Sequence, residues 1–573
     1  MNILIKNGKV IDGTGNPWFY ADIEIEDGKI KRMERKLEIK ADKVINAEKL
    51  VVTPGFISHH GHVDGYMLFH PDMEPVVTQG ITTTTMGHCG YSAFPDKQSY
   101  VGHACSHLFY ALWYGEEVSK SSYDWHSLNE YRELVKSLGG IPIDVVPVMG
   151  HGTIRWKAGV RPLRKKDVRK PTSKEIKKMK ELTKQGMEEG AFGLSESMDY
   201  APNRYAEEDE IVELAKIVAR YNGVLDPHCR NLASPEGIKE MIEIAKKAGV
   251  QLHIAHISNN AICRPGDTNV FPESFGVLER ARAEGMDITT DVIQTVEYGF
   301  RVDILRDNWY RACESASKRP KGAETYESYL KNLKKPKFRE EVKRAVLEFV
   351  KGEYFEFLFS DHADLPILIN TENPEIENKP LGEIAKKIGV KPTDLFFDLT
   401  LCASPIIAEG VKPSIIFDFE PKEDVAIASQ HWLAMPAEDQ CPRPDTPELT
   451  PWPGAYYIMP RFFNNFIYPA VSTNVTFQWP GPRGQNVEQA VRKMTSFPAQ
   501  AWGLYDRGIL RPGMKADIVV FDPVAYKERS TRHNPCLTAV GMYYVMVKGK
   551  LVLDNKKLTD ARPGEVLSKK DIQ

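Results

Sequence analysis

His60 and His62 stand one residue apart, directly after the apolar run 51–57. Alternate residues of a strand point to one side, so this pair can face a single ion. Three other apolar runs end in similar chemistry. They are Gly87-His88-Cys89-Gly90, Asp226-Pro227-His228-Cys229-Arg230 and His253-Ile254-Ala255-His256. Imidazole and thiolate are ligands that suit Zn²⁺. Singly, each has an ordinary reading, a buried small Cys or a hydrogen-bonded His. Four ligand-bearing strand ends in one series point to a metal instead. Zn²⁺ in such a set polarises a carbonyl oxygen and lowers the pKa of bound water to about 7. A carboxylate beside it can take the water's proton and pass it to the leaving group. The expected chemistry is attack of metal-bound hydroxide on a carbonyl carbon.

The elements that must position these residues alternate along the centre of the chain. Strands are predicted at 51–57, 80–86, 143–149, 192–195, 224–226, 251–255, 287–292 and 427–435. Amphipathic helices are predicted between several of them, at 173–189 and 235–248. Eight such steps fit an α/β fold, a (β/α)₈ TIM barrel with its site at the C-terminal strand ends. Residues 300–420, helical around 337–351, form an insert or lid between strands seven and eight. Residues 1–50 and 507–555 both show short alternating segments broken by Asn7-Gly8, Asp12-Gly13, Asp27-Gly28 and Gly549. They predict a small β-sandwich domain formed by both chain ends, 1–52 with 505–573, around a hydrolase barrel at 53–504. Two unrelated β caps are the alternative.

Composition narrows the partners. Lys and Arg number 75 against 78 Asp and Glu, a net charge of -3, which gives no electrostatic case for nucleic acid or an anionic membrane. Eight cysteines in 573 residues are too sparse for a disulfide scaffold. No secretory segment or membrane-spanning run is visible, so a cytoplasmic protein with a small-molecule substrate is expected. A homo-oligomer stays open.

Several motifs in order resemble the amidohydrolase superfamily, in its D-aminoacylase branch. They are Asn7-Gly8-Lys9-Val10-Ile11-Asp12-Gly13-Thr14-Gly15, then Pro54-Gly55-Phe56-Ile57 before His60 and His62, then Gly87-His88-Cys89-Gly90. Gly150-His151-Gly152-Thr153-Ile154-Arg155, Gly190-Ala191-Phe192-Gly193-Leu194-Ser195, Tyr200-Ala201-Pro202 and Ala516-Asp517-Ile518-Val519 follow. The resemblance implies that Cys89, His228 and His256 hold one tight zinc, and that His60 and His62 hold a second, weaker metal. It implies that Asp439 is the general base, with Asp361 as a rival. It places Tyr200, Arg230, His151, Arg155, Ile293, Trp452 and Arg461 around the substrate. Glu196 is either a further ligand or acid, or a solvated or hydrogen-bonded side chain.

The chain departs from the branch at the groups that clamp a substrate carboxylate. The lysine after the strand-six histidine is Ser258, a tyrosine after strand seven is Ile293, and an arginine is Gly454. A charge-assisted bond is worth about 1.5–3 kcal/mol, so these losses predict a neutral substrate, packed by Ile293 and Trp452. The expected reaction is ring opening of a small neutral cyclic carbonyl compound, such as the C–C cleavage of a dihydrophloroglucinol cyclohydrolase. The alternative is N-acyl-D-amino-acid deacylation, with Arg155, Arg230 or Arg301 replacing the clamp. A non-catalytic binding protein on the same fold is the remote alternative.

Overall fold

A computed structural model describes residues 2–104, 114–163, 167–231, 233–257, 270–294, 297–316, 318–350, 366–401, 406–407, 411, 413–418, 425, 428–443, 453–467 and 487–572. The N-terminal stretch forms β1 (Ile3–Val10), β2 (Phe19–Glu26), β3 (Lys29–Glu34), β4 (Lys43–Asn46) and β5 (Val51–Pro54). Alternation buries Ile3, Ile5, Ile23 and Ile25 on one face. Asp27-Gly28 makes the two-residue β2–β3 turn, both residues at positive φ. Asn7-Gly8, expected as a turn, lies inside β1. There the register shifts between Ile5 and Gly8, and Asn7 takes a φ of 60°. Its amide donates to Asp22 Oδ1 at 2.8 Å, so the break is a β-bulge within a continuing strand.

The parallel strands of the centre come next. They are β6 (Phe56–Ile57), β7 (Ile81–Met86), β8 (Asp144–Pro147), β9 (Met149–Gly150), β10 (Gly193–Ser197), β11 (Val224–His228), β12 (Gln251–Ile254) and β13 (Ile288–Ile293). The apolar run 51–57 divides at Gly55: its first part joins the N-terminal sheet and its second the parallel set. Gly55 packs against Thr82 so closely that a Cβ would lie 2.1 Å from Thr82 Oγ1. The helix Ser173–Glu188 starts at a Thr172 capping box, and Pro235–Ala248 starts at Ser234 and stops at left-handed Gly249.

Between β13 and the last parallel strand come β14 (Glu297–Arg301), β15 (Ile367–Ile369), β16 (Lys379–Pro380) and β17 (Ser414–Asp418). They pair in the order β14-β17-β15-β16. Helices Val302–Ser315, Pro336–Val350 and Pro392–Thr400 join them around Trp309, Tyr329, Phe338 and Phe396. The last parallel strand, β18, is Ala434–Ala437, later than the predicted 427–435. Buried Lys493 explains the offset. Its ammonium donates to the carbonyls of Ser429, His431 and Ala434, which holds a turn where a strand was expected.

The chain ends with β19 (Ile518–Phe521), β20 (Met542–Val547), β21 (Lys550–Asp554) and β22 (Lys557–Leu558). Both chain ends share one nine-stranded sheet, ordered β22-β21-β20-β19-β5-β1-β2-β3 with β4 on β1. The parallel strands pair as β6-β7-β8 and as β9-β10-β11-β12-β13-β18. The amides of Glu438 and Asp439 donate to the His60 carbonyl at 3.1 Å each, which brings the end of β18 beside the segment after β6. Among the described residues no helix is long and apolar enough to cross a membrane.

Candidate metal centre

The C-terminal ends of five parallel strands converge. His60 and His62 follow β6, Cys89 follows β7, His228 ends β11, His256 follows β12 and Asp439 follows β18. Cys89, His256 and Asp439 take left-handed backbone angles, with φ of 51°, 34° and 44°. Such conformations cost a non-glycine residue about 1–3 kcal/mol each and cluster at functional sites. Gly87 before Cys89 is required, since a Cβ there would lie 1.9 Å from the Val148 carbonyl oxygen.

These residues form two groups that share Cys89. One is Cys89, His228 and His256; the other is His60, His62, Cys89 and Asp439. Cys89 Sγ lies 3.4 Å from His60 Nε2, 3.5 Å from His256 Nε2 and 3.9 Å from His228 Nδ1. His228 Nδ1 and His256 Nε2 are 3.0 Å apart. Asp439 Oδ1 lies 3.2 Å from His60 Nε2 and 3.1 Å from His62 Nε2. Ligand atoms of a tetrahedral zinc with bonds of about 2.0–2.3 Å sit about 3.3–3.8 Å apart. The donor types and spacings therefore fit zinc. Asp439 has the most exposed side chain of the set, at 15%.

The electrostatics match a pocket built around a cation. Burial, with Asp439, Asp226 and Asp291 nearby, pushes the Cys89 thiol well above its ordinary range. Burial and His88 lower His60 to about 3. Burial would raise Asp439, but His256, His60 and His62 hold it well below the usual carboxylate range. Beside it, burial lifts Glu438 to about 8 against the bond it accepts from Ser58. Asp439 is thus an ionised acceptor next to a protonated neighbour at neutral pH.

A buried layer beneath these groups escaped the sequence reading. His88 Nδ1 lies 2.6 Å from Asp226 Oδ2, and the His88 ring packs tilted at 4.0 Å from His60. Asp291 Oδ2 lies 2.9 Å from His253 Nε2, and the His253 ring stacks at 3.7 Å on His59. His228 Nε2 meets Asp199 Oδ2 at 3.2 Å. His59 and His253 were visible as neighbours of proposed ligands. Asp199 carried no signal, because it reaches His228 only through the turn after β10.

The remaining expected residues divide. Tyr200 packs its ring 4.6 Å from His228, and Ile293 pairs in register with Ala437, two residues before Asp439. Glu196 faces away from the metal groups. Its neighbours Ser195 and Ser197 pair with Asp226 and His228 on the inner side, so strand alternation turns Glu196 outward. There it bonds His151 Nδ1, whose Nε2 meets Glu210 at 2.9 Å, and Arg155 meets the same glutamate at 2.6 Å. His151 and Arg155 thus belong to a buried ionic cluster apart from the metal groups. Arg230 pairs with Glu240, and Arg461 pairs with Glu528 while stacking 3.5 Å over Tyr457. Trp452, Asp361 and Ser258 lie outside the described residues, as does the Arg301 side chain.

Residues 449–553 match the amidohydrolase family. Along nearly its whole length the chain is similar to N-acyl-D-glutamate deacylase of Alcaligenes xylosoxydans xylosoxydans, 24% identical over 99% of this chain and 96% of that one. It shares its fold with the zinc- and phosphonate-bound N-acyl-D-glutamate deacylase of Bordetella bronchiseptica, at a TM-score of 0.70, 23% identity and 99% coverage of both chains. The same score, identity and coverage hold for a D-aminoacylase structure concerned with the functional role of a binuclear metal centre.

Proposed function

We propose that this chain is a zinc-dependent hydrolase that cleaves amide bonds in the manner of the N-acyl-D-amino-acid deacylases. The observation that carries this reading is the pair of ligand groups joined at Cys89, with Asp439 at their margin. In this reading the eight parallel strand positions close into a (β/α)₈ barrel of residues 53–504. The sheet of both chain ends is the β-sandwich domain, 1–52 with 505–573.

Cys89, His228 and His256 hold one ion tightly, and His60 and His62 contribute a second, weaker position. Bound zinc supplies polarisation of the scissile carbonyl and acidification of a water near neutral pH. Asp439 Oδ1 takes the proton of the attacking water and delivers it to the leaving nitrogen. It is ionised and so open to receive a proton, and its partial exposure lets it face substrate. Tyr200 and Ile293 flank the pocket.

The similarity to acylamino-acid deacylases favours amide cleavage over opening of a cyclic β-diketone. One observation keeps a neutral substrate as a second reading. Arg155, Arg230 and Arg461 are each engaged by a glutamate, so none is poised for a substrate carboxylate. The zinc-loaded protein should be assayed with N-acetyl-D-glutamate, N-acetyl-D-methionine and dihydrophloroglucinol. Release of a free amino acid is expected. Turnover of dihydrophloroglucinol alone would replace the deacylase reading with ring opening.

A further inference from the structure

Asp291 lies on β13, is fully buried and touches both halves of the metal centre. Its Oδ1 accepts the backbone N–H of His256 at 2.5 Å. Its Oδ2 accepts from His253 Nε2 at 2.9 Å and lies 3.8 Å from His60 Nδ1. We propose that Asp291 is a positioning residue that sets His256 in one metal group and His60 in the other at once. The proposal rests on the zinc reading above.

The His256 half follows from the backbone. His256 holds a φ of 34°, a conformation that a non-glycine residue keeps only when its surroundings fix it. The bond from its N–H to Asp291 supplies that restraint, and the resulting turn aims Nε2 at Cys89 and His228. The His60 half follows from the imidazole. Its Nε2 faces Cys89 and Asp439, while its buried Nδ1 has no hydrogen-bond partner. An imidazole that binds metal through one nitrogen is held by a bond from the other to a carboxylate, carbonyl or water. Asp291 Oδ2 is a carboxylate oxygen on that side, and a shift of about 1 Å makes the bond.

His253 keeps Asp291 in place. Its Nε2 holds Oδ2, its Nδ1 meets Thr289 Oγ1 at 2.8 Å, and its ring is stacked on His59. The carboxylate therefore cannot turn toward one metal group without leaving the other.

The test is zinc affinity of the full chain, stripped and reloaded, measured by chelator competition. Loss of an outer-shell partner of this kind costs about 10–100-fold in metal affinity. Asp291→Asn is expected to lose that much at both metal positions, with the Co²⁺-loaded absorption spectrum changed. The metal-free protein should melt within a few degrees of metal-free wild type. Wild-type affinity in Asp291→Asn, or a loss at one position only, overturns the proposal. Should Asp291→Asn fail to fold, Asp291→Glu keeps the charge but moves the oxygens by one methylene. It is expected to bind zinc more weakly than wild type, and wild-type affinity would overturn the proposal equally. A wild-type chain that takes up no zinc would overturn the metal reading itself.

Discussion

Cys89 Sγ lies 3.5 Å from His256 Nε2, although 167 residues separate them in the chain. The same sulfur faces His60, His228 and Asp439, so it is the one donor common to both metal groups. Its loss should reach both ions. Cys89→Ala is expected to purify with less than a tenth of the wild-type zinc, and elemental analysis after dialysis measures it. An unchanged zinc content removes Cys89 from the ligand set.

In the proposed reading, Asp439 serves proton transfer more than metal holding. Its carboxylate touches His60 and His62, while Cys89, His228 and His256 form a candidate group that does not include it. Asp439→Asn keeps the shape and loses the base. Turnover should fall by at least about 10²–10⁴-fold, the usual worth of general acid–base catalysis, with the tight zinc retained. A variant that keeps most of its activity gives the proton to another group.

Much of this arrangement was legible because short apolar runs end in imidazole or thiol. Those patterns are local, and so are the capping box at Thr172 and the stop at Gly249. What was not legible depends on contacts between distant strands. The Asn7-Gly8 bulge needs Asp22, and the late start of β18 needs Lys493. Glu196 looked usable for chemistry because it stands at a strand end, yet alternation turns it toward His151. Asp291 reads from sequence as an acid on an apolar strand, and only the pairing of β12 with β13 places it beside His253 and His256.

Asp199 holds His228 from behind. Its Oδ2 meets His228 Nε2 at 3.2 Å while Nδ1 faces Cys89 and His256. A carboxylate on the far nitrogen fixes the ring and raises its basicity as a ligand. Asp199→Asn should weaken the tight zinc about 10–100-fold and leave the His60 and His62 position nearly unchanged. Chelator competition resolves the two positions. This outcome differs from that of Asp291→Asn, which weakens both.

The His151 cluster predicts a loss of stability at high pH. Burial alone would lower the imidazole, but Glu196 and then Glu210 raise it from 6.5 to about 9. A group whose folded pKa lies above its unfolded value stabilises the fold fully below the unfolded value. That contribution declines above pH 6.5 and is lost as pH rises through about 9. At about 1.4 kcal/mol per pH unit its full size is on the order of 3 kcal/mol. The metal-free chain should therefore lose melting temperature between pH 7 and 10 more steeply than metal-free His151→Gln. The variant should be the less stable protein at pH 6, because breaking one partner of a buried pair leaves Glu196 uncompensated. Parallel melting curves across that range would mean that His151 is neutral in the folded protein.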